Sequence, residues 1–269
     1  MASSDLPSLK GQIAIVTGAS SGIGAGTAGI LAEAGARVIV NYRSKDESAD
    51  AVIDTIRKTG GEATAVQGDI SKEEDVIGLF DEAERIYGPV DIVFSNAGIQ
   101  RDKAIADMTL DEWNAVISVN LTGAFMVGRE AIRRFRKKGL REDVSAALGK
   151  LVFDASVHQR IPWAFRANYA ASKGGLRLLM ESIAQEVAQE KIRVNSVAPG
   201  AIATAINKDA REAHPEEMLK LIPYGRIGEP ADIGRVVAWL VSDAADYITG
   251  QTIFIDGGMT LYPGFRGNG

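Results

Sequence analysis

The chain has 269 residues with ordinary apolar and charged fractions, enough to bury a full core. Its formal net charge of −5 leaves no basic excess to neutralise phosphates, which argues against nucleic acid as the main partner. With no cysteine, disulfides, thiolate metal sites and a Cys nucleophile are excluded, and the two histidines, His158 and His214, do not make a histidine-rich metal site. Met1 to Pro7 contains no apolar signal region, and no run approaches the length of a membrane span, so a soluble cytoplasmic protein is expected.

Gln12 to Thr17 is a short apolar run with β-branched residues, read as the first strand. It ends in Gly18-Ala-Ser20-Ser21-Gly22-Ile23-Gly24 and an Ala-rich helical stretch to about Ala34. Strand, glycine-rich turn, helix is the context in which backbone amides and a helix N-terminus receive phosphate. Arg37 to Asn41 reads as the second strand. Nucleotide units that take NAD carry an acid about 20 residues beyond the glycines, on the ribose hydroxyls. Here Asn41-Tyr42-Arg43-Ser44 has no acid at the tip, and Arg43 and Ser44 are candidates for a 2′-phosphate. That pattern points to NADP or NAD, with a lean toward NADP. A solvated loop arginine is the alternative.

A helix is expected over about 47–59, a strand over 63–67, then Gly68-Asp69-Ile70-Ser71, where Ser71 ahead of Glu73 and Glu74 resembles a helix cap. Asp91 to Phe94 is the fourth strand, leading into Ser95-Asn96-Ala97-Gly98, whose small side chains leave room for a flat ligand. A long helical pattern over about 110–138 contains Asn120, unfavourable inside a helix and therefore a candidate for a task. A polar loop over 138–149 precedes the fifth strand, 150–153. The sixth strand, 192–197, runs into Pro199-Gly200. Residues 201–222 are expected to cover a cleft. A helix over about 230–242 and a strand over 252–255 complete the series.

Alternating strands and helices imply a parallel sheet covered on both faces, with residues 1–269 forming one dinucleotide-binding and catalytic domain. Gly18, Arg43, Asp69, Asn96, Ser156 and Pro199 all follow strand ends, so they gather on one edge of the sheet.

The most chemically loaded segment is Ser156 to Lys173. Of six tyrosines, only Tyr169 has a lysine four residues on, one helical turn away on the same face. A free phenol titrates near about 10, and a neighbouring cation pulls that value down, which makes Tyr169 with Lys173 a candidate acid/base. Ser156 adds a neutral hydroxyl for a substrate oxygen. A solvated pair on a helix surface is the alternative. His158 and Trp163 lie between Ser156 and Tyr169. Either they face substrate, or Trp163 packs at a subunit contact and His158 is an ordinary loop residue.

Taken together, Thr17-Gly18-xxx-Gly22-x-Gly24, Asp69, Asn96-Ala97-Gly98, Asn120, Ser156, Tyr169-xxx-Lys173, Pro199-Gly200 and Thr204 resemble the short-chain dehydrogenase/reductase family from Thr17 to Gly258. The resemblance implies a seven-stranded, doubly wound Rossmann sheet and a homotetramer. It implies that Tyr169 is the acid/base, that Lys173 binds ribose, that Ser156 orients the substrate oxygen and that Asn120 holds a water. It places Asp69 beside adenine, Asn96 and Gly98 along the adenosine-ribose side and Thr204 at the nicotinamide carboxamide, with Ile70, Ala97 and Ile202 also among the cofactor-binding residues. Within the family the likeness is to bacterial glucose 1-dehydrogenases, through Asn41 to Lys45, Ile161-Pro-Trp163, Tyr169 to Gly175 and Asp256 to Pro263. That implies oxidation of an aldose at C1, with Gln100, Ser156, His158, Trp163 and Tyr169 facing the sugar. Four features depart from the pattern: Ser95 stands where Asn is usual, Asp154-Ala155 where small or hydroxyl residues are common, Gln100 where an acid is expected, and the 138–149 segment is longer. A 3-oxoacyl thioester or other carbonyl reductase is the second enzyme reading. A cofactor-binding regulator is the third, and the complete set of Asn120, Ser156, Tyr169 and Lys173 argues against it.

Overall fold

In a computed structural model, which describes residues 6–44, 47–204 and 215–261, seven strands form one parallel sheet. They are β1 (Ile13–Val16), β2 (Arg37–Tyr42), β3 (Glu62–Gln67), β4 (Ile92–Ser95), β5 (Gly149–Asp154), β6 (Ile192–Pro199) and β7 (Thr252–Ile255). Their order is β3-β2-β1-β4-β5-β6-β7. The order reverses between β1 and β4, which opens a crevice at their carboxyl ends.

Strand periodicity explains the layers. Ile13 and Ile15 join one core cluster, while Ala14 and Val16 join the other. The first cluster is closed by α3 (Glu73–Tyr87), α5 (Ala124–Lys138) and α6 (Ala167–Val187), through Phe80, Phe135 and Met180 among others. The second is closed by α1 (Gly22–Glu33), α2 (Glu47–Lys58) and α8 (Pro230–Leu240), through Leu31, Ile56 and Val237. A β-carbon on Gly26 would come within 2.5 Å of Pro230, so α1 and α8 touch only because that side chain is absent.

Two expectations need correction. The helical pattern over 110–138 is not one α-helix: α4 (Leu110–Ile117) and α5 are joined by a π-helical stretch, Ser118–Gly123, which contains Asn120. Asn120 is 1% exposed and bonds away from its own helix, and one wide turn accommodates it. Ser71 does not cap α3 either. Its hydroxyl donates to Asp69, and Lys72 occupies the capping position. The stretch 110–138 is long and apolar enough to cross a membrane, but 56% of its most apolar window is buried inside the fold. A short helix α7 (Pro215–Lys220) lies within the region expected over the cleft, and the rest of 205–214, with His214, is outside the described residues.

Opposite the crevice, Asp91 takes Lys138 at 2.6 Å, Arg141, and the amide of Ile13. Ser145 donates to Asp243 at 2.6 Å. The polar 138–149 segment is therefore fastened to the floor of the sheet.

Candidate active site

Gly18 and Gly22 have φ of 61° and 56°, a conformation that favours glycine, and they turn the chain out of β1 into α1. A β-carbon on Gly18 would stand 2.8 Å from the Ala97 α-carbon, so this turn meets the β4 exit backbone to backbone. Short polar side chains hold the two together. Thr17 Oγ1 accepts from the amides of Asn96 (2.9 Å) and Ala97 (3.1 Å), and Asn96 Nδ2 donates to the carbonyls of Thr17 (2.8 Å) and Gly18 (3.1 Å). Asn41, 1% exposed, donates to the Gly68 carbonyl at 3.0 Å and accepts from the Gly18 amide at 3.3 Å. The ends of β1, β2, β3 and β4 are thereby knitted into one rigid rim.

Gly24 lies behind that rim. A β-carbon there would sit 2.6 Å from Asn96 Nδ2, so Gly24 makes room for the asparagine and does not line the cavity.

α1 begins at Ser21, whose side chain makes no capping bond, and its first turn holds no acid. Its first amides and positive dipole end therefore face the crevice uncapped, as a phosphate requires. At the tips of β2 and β3, Arg43 and Ser44 are exposed, and Asp69 and Ile70 line the same wall. Burial raises the Asp69 carboxyl, but hydrogen bonds from the Ser71 hydroxyl and amide, with the charges of Arg43 and Lys72, more than offset this and hold it below its usual value. Asp69 is thus an acceptor through the neutral range. These features fit a dinucleotide.

The reacting groups come from β5 and α6. Ser156 is 6% exposed, and its hydroxyl accepts from the His158 amide at 3.2 Å. On α6, Tyr169 lines the cavity and Lys173 is 3% exposed, its Nζ lying 5.7 Å from the Tyr169 ring centre. Lys173 Nζ donates to the Asp154 carbonyl at 2.6 Å, leaving its remaining N–H groups for other acceptors. Asn120 is not on the cavity wall. Its amide exchanges bonds with the backbone of Ile99 (2.8 and 3.0 Å) and donates to Ser172 Oγ at 3.2 Å. Ser172 Oγ in turn donates to the Tyr169 carbonyl at 2.7 Å. Asn120 therefore ties the β4 exit to the turn that presents Tyr169.

His158 and Trp163 face the cavity. Their rings stack at 4.0 Å, and the Arg166 guanidinium lies 3.9 Å from the same Trp163 ring centre. Trp163 thus carries a stacked imidazole and a nearby guanidinium, and it meets the Tyr169 ring edge-on with centres 6.1 Å apart. Arg166 is held by Asp102 at 2.6 Å. His158 Nδ1 bonds the Ile161 carbonyl at 3.1 Å. A carbonyl only accepts, so Nδ1 carries the proton and Nε2 is left as an acceptor. Burial pushes the imidazole below its usual value, the Ile161 bond opposes this, and Arg166 adds to it, so His158 stays neutral at physiological pH.

One cavity of about 1010 Å³ is lined by every residue expected at the site except Gly24 and Asn120. Gly22, Ile23, Pro199, Gly200, Ile202 and Thr204 are among them, and so is Gln100. Asn41, Asp102, Asp154, Arg166, Met218 and Leu261 line it as well and were not singled out as lining residues from the sequence. Asn41 carried a signal, a polar side chain inside an apolar strand. Asp102, Arg166 and Leu261 come from segments without periodicity, whereas Asp154 ends β5 and Met218 lies on α7. Asp154 is 9% exposed, burial lifts its carboxyl to about 7 against the pull of Lys173, and its Oδ1 has no hydrogen-bond partner. Among the described residues no group of three or more His, Asp or Glu could hold a metal ion.

A family profile described as enoyl-(acyl carrier protein) reductase matches residues 18–260. 3beta-Hydroxysteroid dehydrogenase 1 of Eggerthella lenta is 45% identical over 261 residues, 96% of this chain and 97% of its own length. Glucose 1-dehydrogenase 2 of Bacillus subtilis is 40% identical over 257 residues, 95% of this chain and 97% of its own. A candidate 2-deoxy-D-gluconate 3-dehydrogenase of Agrobacterium tumefaciens, crystallised with bound NADP, superposes with a TM-score of 0.85 at 34% identity, over 95% of this chain and 98% of that one.

Proposed function

Because the chain belongs to the short-chain dehydrogenase/reductase family, we propose that it moves a hydride between a ring carbinol, an aldose at C1 in the first instance, and NADP or NAD. The observation that carries this reading is the meeting of Ser156, Tyr169 and Lys173 with an uncapped glycine-turn helix in a single cavity. The bound nicotinamide supplies or accepts the hydride. The protein's own groups do the rest. Ser156 Oγ holds the carbinol oxygen, and Tyr169 takes its proton as the carbon–oxygen double bond forms. Lys173 contributes a nearby positive charge that favours the phenolate form able to take that proton, and N–H groups for the ribose hydroxyls. Arg43 and Ser44 receive the 2′-phosphate, and the first turn of α1 receives the bridging phosphates.

Support for a sugar is the outward-facing acceptor of His158 and the amide of Gln100, both on the wall near Tyr169. A second reading, an apolar ring alcohol of the hydroxysteroid kind, is favoured by Ile161, Met218, Leu221, Met259 and Leu261 on the same wall. The His158 ring stacked on Trp163 also occupies a ring face that a sugar would use. Turnover of aldoses, polyols, 3-hydroxysteroids and acetoacetyl thioesters, each with NADP and NAD, separates the readings. Activity on hydroxysteroids with none on aldoses replaces the first by the second. Activity on thioesters alone rejects both.

The same reading includes a homotetramer. Leu110, Phe125 and Leu178 are exposed on α4, α5 and α6, faces suited to pairing between copies. Light scattering at micromolar concentration should give four times the chain mass, and a monomer would reject it. Met259 to Pro263 would pack at another contact between copies; the structure describes this stretch only to Leu261, with Tyr262 and Pro263 outside the described residues.

A further inference from the structure

Among the described residues three acids are buried, and their surroundings differ sharply: Glu130 pairs with Arg133 and Arg134. Asp91, 2% exposed, is matched by Lys138, Arg141 and the Ile13 amide. Asp154, 9% exposed, has no ion pair among the described residues and one oxygen with no partner. A carboxyl buried in this way weakens the fold, because nothing replaces the water it has lost. Asp91 is explained by structure, and Asp154 is not.

Its position gives it a task. Asp154 ends β5, two residues before Ser156, and lines the cavity. Its own carbonyl receives Lys173 Nζ at 2.6 Å, so the residue that anchors the lysine also carries an acid into the same site. We propose that Asp154 is a positioning residue for Lys173, its carboxyl setting how much of the lysine's positive charge reaches Tyr169 as the substrate proton is taken. This rests on the reading of Tyr169 as the acid/base.

The charges around it are few. Lys173 and Tyr169 approach from α6, and His158 from the turn after Ser156. The neighbouring ends of β4 (Phe94, Ser95) and β6 (Val197 to Pro199) carry none. After β7, the Asp256 carboxylate is engaged by the amides of Gly258 and Thr260 at 2.8 Å. Arg43 and Asp69 line the cavity from the tips of β2 and β3. Lys173 is the charge that acts on the Asp154 carboxyl, which burial holds at about 7. Below that pH the carboxyl is neutral and Lys173 acts undiminished. Above it the carboxylate offsets the ammonium and opposes loss of the phenol proton. The two groups then titrate as a pair, and the rise of oxidation with pH is spread over a wider range than one group gives.

The test compares Asp154→Asn and Asp154→Ser with the parent enzyme and with Tyr169→Phe, using whichever substrate the panel identifies and conditions where chemistry limits the rate. In both Asp154 variants the rise of oxidation with pH should move to lower pH, by roughly half a unit or more, and steepen toward a single-group curve. A second readout needs no turnover. The folded-state value, about 7, lies above the ordinary 3.8, so the protonated carboxyl is the form the fold prefers. Its stability is fully present below 3.8, is lost as pH rises, and the loss is complete above about 7. The melting temperature of the Asn variant should therefore exceed the parent's by a margin that grows with pH across that window and then levels off. A rate profile superposable on the parent's in both variants overturns the proposal even where melting changes, since a merely structural acid would alter melting alone. Near-normal turnover by Tyr169→Phe is a separate outcome and overturns the underlying site reading.

Discussion

The two halves of the cavity are built in different ways. The dinucleotide half is made of backbone. Glycine turns and strand ends are locked by Thr17, Asn41 and Asn96, each spending its polar atoms on main-chain partners. The half proposed for substrate is made of side chains, the His158–Trp163 stack with Arg166 beside it and apolar residues from segments far apart in the chain. A backbone-built surface offers amides at fixed spacing and suits one ligand class. A side-chain wall can be rebuilt by a few substitutions without disturbing the sheet. That difference accounts for relatives with this fold being named for both a hydroxysteroid and glucose.

Substitutions can test the division, beginning where the two halves meet. Tyr169→Phe should keep the fold and dinucleotide binding while turnover falls by at least about 100-fold, as measured by steady-state kinetics and nucleotide fluorescence titration. In the dinucleotide half, Arg43→Ala should weaken NADP more than NAD by about 1.5–3 kcal/mol, the scale of a charged hydrogen bond. Equal losses for both cofactors would mean that Arg43 does not read the phosphate. Asn41→Ala should instead weaken both cofactors alike and lower stability by about 1–3 kcal/mol, because it leaves buried backbone groups unpaired. Calorimetry and the ratio of the two dissociation constants distinguish a rim residue from a selectivity residue. The smallest effect belongs to the substrate wall. Trp163→Ala should raise KM by the equivalent of about 0.5–1.5 kcal/mol, the worth of a ring pair, without altering dinucleotide affinity. The same wall has its own pH response. Burial keeps His158 neutral, so KM for a hydroxyl-bearing substrate should stay flat through neutral pH and rise only well below 6.5, where protonation removes the acceptor.

Much of this was legible in the chain. Apolar runs of β1, β2, β4, β5 and β6 separated by helical periodicity require a parallel sheet, because strands buried on both faces need helices on both faces. The glycine turn and the Tyr169–Lys173 spacing follow from local geometry: a left-handed φ in one case, 3.6 residues per turn in the other. The seven-stranded sheet was implied by the resemblance that the motifs carry together, whereas the strand order came from the structure. Tertiary structure decided what depends on distant partners. It gave Asn120 a π-helical turn and a place behind the cavity, because Ile99 and Ser172 compete for its amide. It moved Gly24 from the ligand to the packing of Asn96. It stacked His158 on Trp163 and set the Arg166 guanidinium beside it, which no spacing in Ile161-Pro-Trp163 reveals. And it left Asp154 buried beside Lys173 with an unmatched oxygen. Local sequence dictates backbone conformation and which face is apolar. Burial, dielectric environment and hydrogen-bond competition are properties of the packed whole, and they set the chemistry of the side chains that meet there.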